Sequence, residues 1–149
     1  MTTEGRPIVQ VTHRFDASAE RVFDAWLDPT TAGRWLFATA AGQMVRVEID
    51  ARVGGRFILV DRRDGEDVEH RGEYLQIDRP RRLVFTFGVP KYSRETTRVC
   101  IDIVPRESGC ELTLTHEGVL PDYASRTKSG WTDILAHLAT DLARSSADT

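Results

Sequence analysis

The sequence has 149 residues, of which 20 are Lys or Arg and 23 are Asp or Glu, and its formal net charge is -3. A chain of this size buries roughly 69% of its unfolded surface, so we predict a single domain over residues 1–149 that needs no disulfide or structural metal. The mixed charges predict no nucleic-acid partner. No apolar run approaches the ~18 residues of a membrane span, and the first residues lack an apolar signal core, which predicts a cytoplasmic protein without membrane insertion.

The N-terminal segment predicts a strand and two short helices. Polar and β-branched residues alternate from Ile8 to Phe15, as in a strand with one buried face. Ser18 is a suitable N-cap for a first helix. Asp28 can cap a second helix that has Pro29 at its first position and ends near Trp35.

Hairpins follow, and their turns predict which side chains point inward. The Asp64-Gly65 turn places Phe57, His70 and Tyr74 on one inward face. The opposite face of this hairpin is charged, and it carries Arg56, Arg62, Arg71, Asp67, Glu69 and Glu73.

Two further hairpins extend the same inward face. A turn at residues 78–81 pairs Tyr74 with Phe85 and Gln76 with Leu83, and it also turns Phe87 inward. A turn at residues 105–108 predicts four pairs, which are Ile103 with Cys110, Ile101 with Leu112, Val99 with Leu114 and Thr97 with His116. Cys100 then faces outward and Cys110 inward, which excludes a disulfide between them.

The C-terminal segment is helical, because Trp131, Leu135, Leu138 and Leu142 recur at spacings of four, three and four. The element order predicts an α+β fold. A strand and two short helices precede a curved six-strand antiparallel meander, and a long C-terminal helix packs across its concave face. A bent sheet around one helix leaves room for a pocket, which is our default site hypothesis.

Six motifs in this order resemble one known family. They are Val22–Pro29 with Trp35, Val53–Phe57, Gly72–Tyr74 continuing to Pro80, Leu83–Phe87, Leu112–His116, and Gly130–Trp131 with the leucines that follow. They resemble the activator of heat-shock protein 90 ATPase homologue family of the START-type, birch-pollen-allergen-like superfamily (SRPBCC). The resemblance implies a helix-grip fold and a cavity for lipids, hormones, polyketides or other apolar molecules. A few superfamily members are cyclases or dehydratases, and the co-chaperone that names the family implies a chaperone partner and a role in stress responses.

The inward-facing residues form the predicted ligand site. Tyr74, His116 and Trp131 would supply polar contacts, since each has a polar atom that needs a partner when buried. The apolar wall would consist of Trp35, Phe57, Phe85, Phe87, Leu114 and Leu135. The alternative is that His116 is a core histidine whose ring is satisfied by a backbone carbonyl.

The other histidines are weaker candidates. His13 and His70 also face inward and would be rim residues, whereas His137 lies between Asp133 and Asp141 in a solvated charge cluster. The sequence has no metal-binding spacing, no phosphate loop that leads into a helix and no hydrolase elbow. We therefore expect no metal and no cofactor, and we assign no catalytic residue.

Three functions remain open. The first is binding of a small apolar or amphipathic molecule between the sheet and the C-terminal helix. The second is a lyase or cyclase in which His116 and Tyr74 act as general acid and base on a carbonyl or polyketide-like compound. The third is a chaperone-accessory module that uses the charged outer face, and the sequence leaves monomer and homodimer equally open.

Overall fold

The computed structural model describes residues 8–37, 42–91 and 95–147, and it describes 145–147 without their side chains. The elements in chain order are β1 (Val9–Phe15), α1 (Ala19–Ala25), α2 (Ala32–Trp35), β2 (Gln43–Ile49), β3 (Arg56–Arg63), β4 (Glu66–Asp78), β5 (Arg82–Phe87), β6 (Thr97–Arg106), β7 (Gly109–Glu117) and α3 (Ala124–Ala147). One 3₁₀ turn, Pro121–Tyr123, leads into α3. None of the helices in the described part of the chain is long and apolar enough to cross a membrane.

The strands form one antiparallel sheet in the order β1-β7-β6-β5-β4-β3-β2. Strands β2 to β7 are the predicted meander, and β1 joins it by pairing with β7. The curved sheet therefore has seven strands rather than six, because the first strand completes it. The predicted α+β class and the long C-terminal helix are confirmed.

The capping predictions hold for α1 but not for α2. The Ser18 hydroxyl accepts a hydrogen bond from the Arg21 backbone N–H at 3.2 Å, as an N-cap does. The second helix begins at Ala32 instead of Pro29. The Asp28 carboxylate accepts hydrogen bonds from the backbone N–H and the hydroxyl of Thr30, which holds residues 28–31 in a turn before the helix.

The β3–β4 hairpin has the predicted register, with Arg63 opposite Glu66 and Phe57 opposite Gly72. Asp64 and Gly65 form its turn with φ values of 51° and 80°, as a two-residue hairpin turn requires.

The β4–β5 hairpin keeps only part of the predicted register. Tyr74 pairs with Phe85 as predicted, but a bulge after Tyr74 places Gln76 opposite Val84. The predicted pair of Gln76 with Leu83 is therefore wrong. Because a bulge adds one residue to one strand, Ile77 takes the place opposite Leu83.

The predicted β6–β7 register is wrong by two residues. Val99 pairs with His116, and Arg106 lies opposite Gly109 across a tighter turn. Gly109 has φ +146°, which side chains disfavour and glycine tolerates, so a two-residue connection is allowed here. A shift of two keeps every side chain on its predicted face. Cys100 and Cys110 are both free thiols.

The core lies between the inward face of the sheet and the three helices. Trp131, Leu135 and Leu138 of α3 are at most 3% exposed. The C-terminal part of α3 is also held by polar contacts, because the Arg34 guanidinium donates to both carboxylate oxygens of Asp141, at 2.7 and 3.3 Å.

Two glycine substitutions test this packing, and they should change the free energy of unfolding in opposite directions. A Cβ at Gly72 would lie 1.8 Å from the Thr86 carbonyl oxygen and 2.6 Å from the Phe57 ring, so Gly72→Ala should lower the free energy of unfolding by at least ~2 kcal/mol. A Cβ at Gly130, inside α3, would meet no atom within 4 Å, so Gly130→Ala should raise it by about 1 kcal/mol. Urea denaturation of both variants measures this, and a Gly72→Ala protein as stable as the parent would contradict the close approach of Gly72 to Thr86 and Phe57.

Candidate functional site

The space between the sheet and α3 is filled by side chains. Trp26, Phe37, Phe57, Tyr74 and Phe85 surround a void of about 10 Å³. This is the space of one water molecule at most. The interior is therefore packed around this void, and the void itself has no room for an organic ligand.

The nine predicted site residues divide into two groups. Phe87 and His116 line an open cleft at one end of the core. The other seven are at most 3% exposed and belong to the packed core, and they are Trp35, Phe57, Tyr74, Phe85, Leu114, Trp131 and Leu135. Trp131 nevertheless lies directly behind the cleft, because its ring contacts those of Phe87 and His116.

The cleft has a volume of about 440 Å³. It lies between residues 88, 89 and 95 after β5, residues 118–120 after β7 and the first turns of α3. Its wall is largely apolar and includes Phe87, Val89, Val119, Leu120 and Tyr123. An open, mostly apolar concavity with a few polar groups is the usual form of a small-molecule site.

His116 is held at the cleft wall by a chain of hydrogen bonds. The Trp131 indole N–H donates to Nδ1 of His116 at 3.0 Å, and Nε2 of His116 lies 2.6 Å from the Thr97 hydroxyl. The Thr97 hydroxyl donates to the Phe87 carbonyl at 3.1 Å. Since an indole N–H only donates, the neutral ring carries its proton on Nε2. Both nitrogens are satisfied by the protein, as in the core-histidine alternative, but their partners are the side chains of Trp131 and Thr97 instead of a backbone carbonyl.

Burial keeps two of the histidines neutral. It lowers the pKa of His116 from 6.5 to about 4. The pKa of His70 is also lowered to about 4, by burial first and then by the nearby Arg63 charge. The His70 ring stacks on Phe37 with centroids 4.5 Å apart. Neither imidazole is therefore charged near neutral pH.

The remaining predicted polar residues lie away from the cleft. Tyr74 borders the inner void, where burial and then the Asp50 charge raise the pKa of its hydroxyl. His13 lies on β1 with its ring 4.6 Å from that of Phe15. His137 is exposed on α3, and Asp141, its predicted neighbour in a charge cluster, binds Arg34 instead.

Charged groups stand at the cleft rim. The Arg63 Nε–H donates to the buried Asp61 carboxylate at 2.7 Å, and its Nη2 donates to the Phe37 carbonyl at 3.3 Å. Arg126 of α3 lies over the Tyr123 ring, 5.7 Å from its centroid. Across residues 8–37, 42–91 and 95–147, no cluster of three or more His, Cys, Asp or Glu side chains could hold a metal ion.

Several cleft residues were missed by the sequence reasoning. They are Arg63, Val89, Glu95, Thr97, Val119, Leu120, Tyr123, Arg126 and Thr127. Most lie in connections or in the first turns of α3, where no strand or helix period identifies an inward face. The one available signal was the apolar pair Val119-Leu120 between the last strand and Pro121.

The seven-stranded sheet with its long C-terminal helix defines a helix-grip domain. The family model of "Activator of Hsp90 ATPase homolog 1-like protein" matches residues 16–143. The chain therefore belongs to this family, and the predicted resemblance is confirmed. No curated protein sequence matches the chain.

Solved structures share the fold. A protein from Chromobacterium violaceum is 25% identical with a TM-score of 0.78, and the match covers 89% of this chain and 94% of that one. An AHSA1-like protein from Aeromonas hydrophila is 19% identical with a TM-score of 0.82, covering 94% of both chains. A Staphylococcus aureus protein of unknown function is 17% identical with a TM-score of 0.85, covering 95% and 96%.

The buried histidines predict an acid-sensitive protein. In the unfolded chain a histidine takes up its proton near pH 6.5, whereas the folded rings of His70 and His116 stay neutral down to about pH 4. The unfolded state thus binds more protons in this window, so the free energy of unfolding falls as the pH drops from 6.5 toward 4. At pH 4.5 each ring should account for a loss of about 2 to 3 kcal/mol.

His116→Gln isolates one of the two contributions. Its amide can accept from Trp131 and donate to Thr97, but it does not titrate. Between pH 7 and pH 4.5, urea unfolding of this variant should therefore lose about 2 to 3 kcal/mol less than the parent protein. An equal loss in both proteins would contradict a neutral, buried His116.

Proposed function

We propose that this protein binds a small amphipathic molecule in the cleft at the open end of its helix-grip fold. The observation that carries the proposal is the volume of about 440 Å³ with a largely apolar wall. Membership of a helix-grip family supports it, since the resemblance implies ligand binding in this fold. The proposed site differs from the expected one, which lay deeper between the sheet and α3, because that space is occupied by aromatic rings.

The ligand would bury its apolar part against Phe87, Val119 and Leu120. Each methylene removed from water contributes about 0.8 kcal/mol, so a short alkyl chain or a ring gains enough for measurable affinity. His116 would form part of the wall through its ring, because both of its nitrogens are already bonded to the protein.

The geometry favours binding over the enzyme hypothesis. That hypothesis pairs His116 with Tyr74 as acid and base, but His116 lines the cleft and Tyr74 borders the separate inner void. An imidazole with a pKa of about 4 is also a weak base near neutral pH.

A bulky side chain in the cleft should weaken binding. Leu120 is half-buried at the cleft wall, so Leu120→Trp should fill part of the space and weaken the binding of 1-decanol at least tenfold, a loss of about 1.4 kcal/mol. Isothermal titration calorimetry at pH 7.5 measures the dissociation constant.

Leu75→Trp is the matched control. Leu75 is 41% exposed and does not line the cleft, so this variant should bind decanol as the parent protein does. Decanol binding that survives Leu120→Trp unchanged would place the ligand elsewhere, and a parent protein that does not bind decanol would count against the proposed function.

A further inference from the structure

One charge at the cleft rim has no carboxylate partner among the residues that the structure describes. Arg63 and Asp61 form an ion pair at 2.7 Å, and Glu95 is engaged in a contact of its own. Arg126 also lines the cleft, yet it forms no ion pair with any residue that the structure describes. The cleft thus presents a positive guanidinium, although the sequence as a whole is acidic with a net charge of -3.

The Arg126 side chain contacts an aromatic ring of the cleft wall. Its guanidinium carbon lies 5.7 Å from the centroid of the Tyr123 ring, and both residues line the cleft. A cation over an aromatic face is attracted to it by about 0.5 to 1 kcal/mol at exposed sites. This contact favours a guanidinium position at the rim, and it uses the face of the group, so the N–H groups stay available to a ligand.

A hydroxyl on α3 lines the same cleft as this guanidinium. Thr132 and Thr140 of α3 donate their hydroxyl protons to the carbonyls four residues earlier, at 2.8 and 3.2 Å. Thr127, which lines the cleft, has no such bond, and its hydroxyl has no partner among residues 8–37, 42–91 and 95–147. Adjacent positions on α3 thus supply one cation and one free hydroxyl to the same cleft.

We propose that Arg126 and Thr127 form a carboxylate subsite, so that the ligand of this protein is an amphipathic carboxylate. This inference rests on the proposed binding function. The planar guanidinium matches a carboxylate through two parallel N–H···O bonds, and the Thr127 hydroxyl can donate a third. The alkyl or ring portion then lies along Phe87, Val119 and Leu120.

Two ligands with the same alkyl chain and different headgroups isolate the contribution of the headgroup to binding. Isothermal titration calorimetry at pH 7.5 and low salt compares decanoate with 1-decanol. The parent protein should bind decanoate about fivefold more tightly, the size expected for an exposed charge pair. Because the pair is exposed to solvent, 0.5 M NaCl should remove most of this preference.

Variants of three consecutive residues on α3 locate the subsite. Arg126→Gln should bring the affinities for decanoate and decanol together, and Thr127→Val should reduce the preference by about half. Lys128→Gln removes the same charge from an exposed residue that does not line the cleft, so it should retain the preference. Thermal unfolding of each variant verifies that it is folded.

The outcomes separate the two proposals. If the parent protein binds neither compound, the proposed function fails. If it binds decanol but prefers no carboxylate, or if Arg126→Gln keeps the preference, the carboxylate subsite is overturned and the binding function stands. A preference lost equally in Lys128→Gln would assign it to the general charge of α3 and would also overturn the subsite.

Discussion

The contact between α3 and the inward face of the sheet is the constraint on which the rest of the structure depends. Leu135 and Leu138 are fully buried there, and each such side chain contributes about 1.5 to 3 kcal/mol when it leaves water. The C-terminal part of the helix is also tied to α2 through Arg34 and Asp141. The residues of α3 before Trp131 are mostly exposed, and the cleft opens beside this less buried part of the helix.

The hydrogen-bond chain through His116 decides what the cleft can do. An imidazole that accepts from Trp131 and bonds to Thr97 joins α3 to the sheet at the inner end of the cleft. If one of these partners were removed, a buried polar atom would lose its bond, which costs about 1 to 3 kcal/mol. The histidine is therefore a structural support of the cleft wall, and polar recognition of a ligand falls to the groups at its rim.

The face of the sheet on which each side chain lies was predictable, because side chains alternate between the two faces along a strand. The β6–β7 register was wrong by two, yet His116 and Cys110 kept their inward orientation. The face on which a side chain lies does not determine its exposure, however. Val84 and Cys100 face outward and are still buried, since neighbouring side chains cover them, and the Arg82 guanidinium reaches within 3.8 Å of the Cys100 sulfur. The bulge after Tyr74 has no comparable sequence signal.

Whether the interior is a cavity or a packed core depends on Phe37. This residue lies outside the strands and helices, so sequence periodicity could not predict where its side chain points. Phe37 follows α2, and its φ of +59° is uncommon for a residue with a side chain. Its ring contacts those of His70, Phe87 and Trp131 at centroid distances of 4.5 to 5.7 Å. The predicted aromatic wall is thus present, but Phe37 fills the space in front of it. Sequence patterns indicate which faces point inward, whereas the free volume between those faces depends on every side chain that enters it, including those from irregular segments. The ligand-sized space consequently lies at the end of the fold, among connections and the first turns of α3, where sequence periodicity gives the least information.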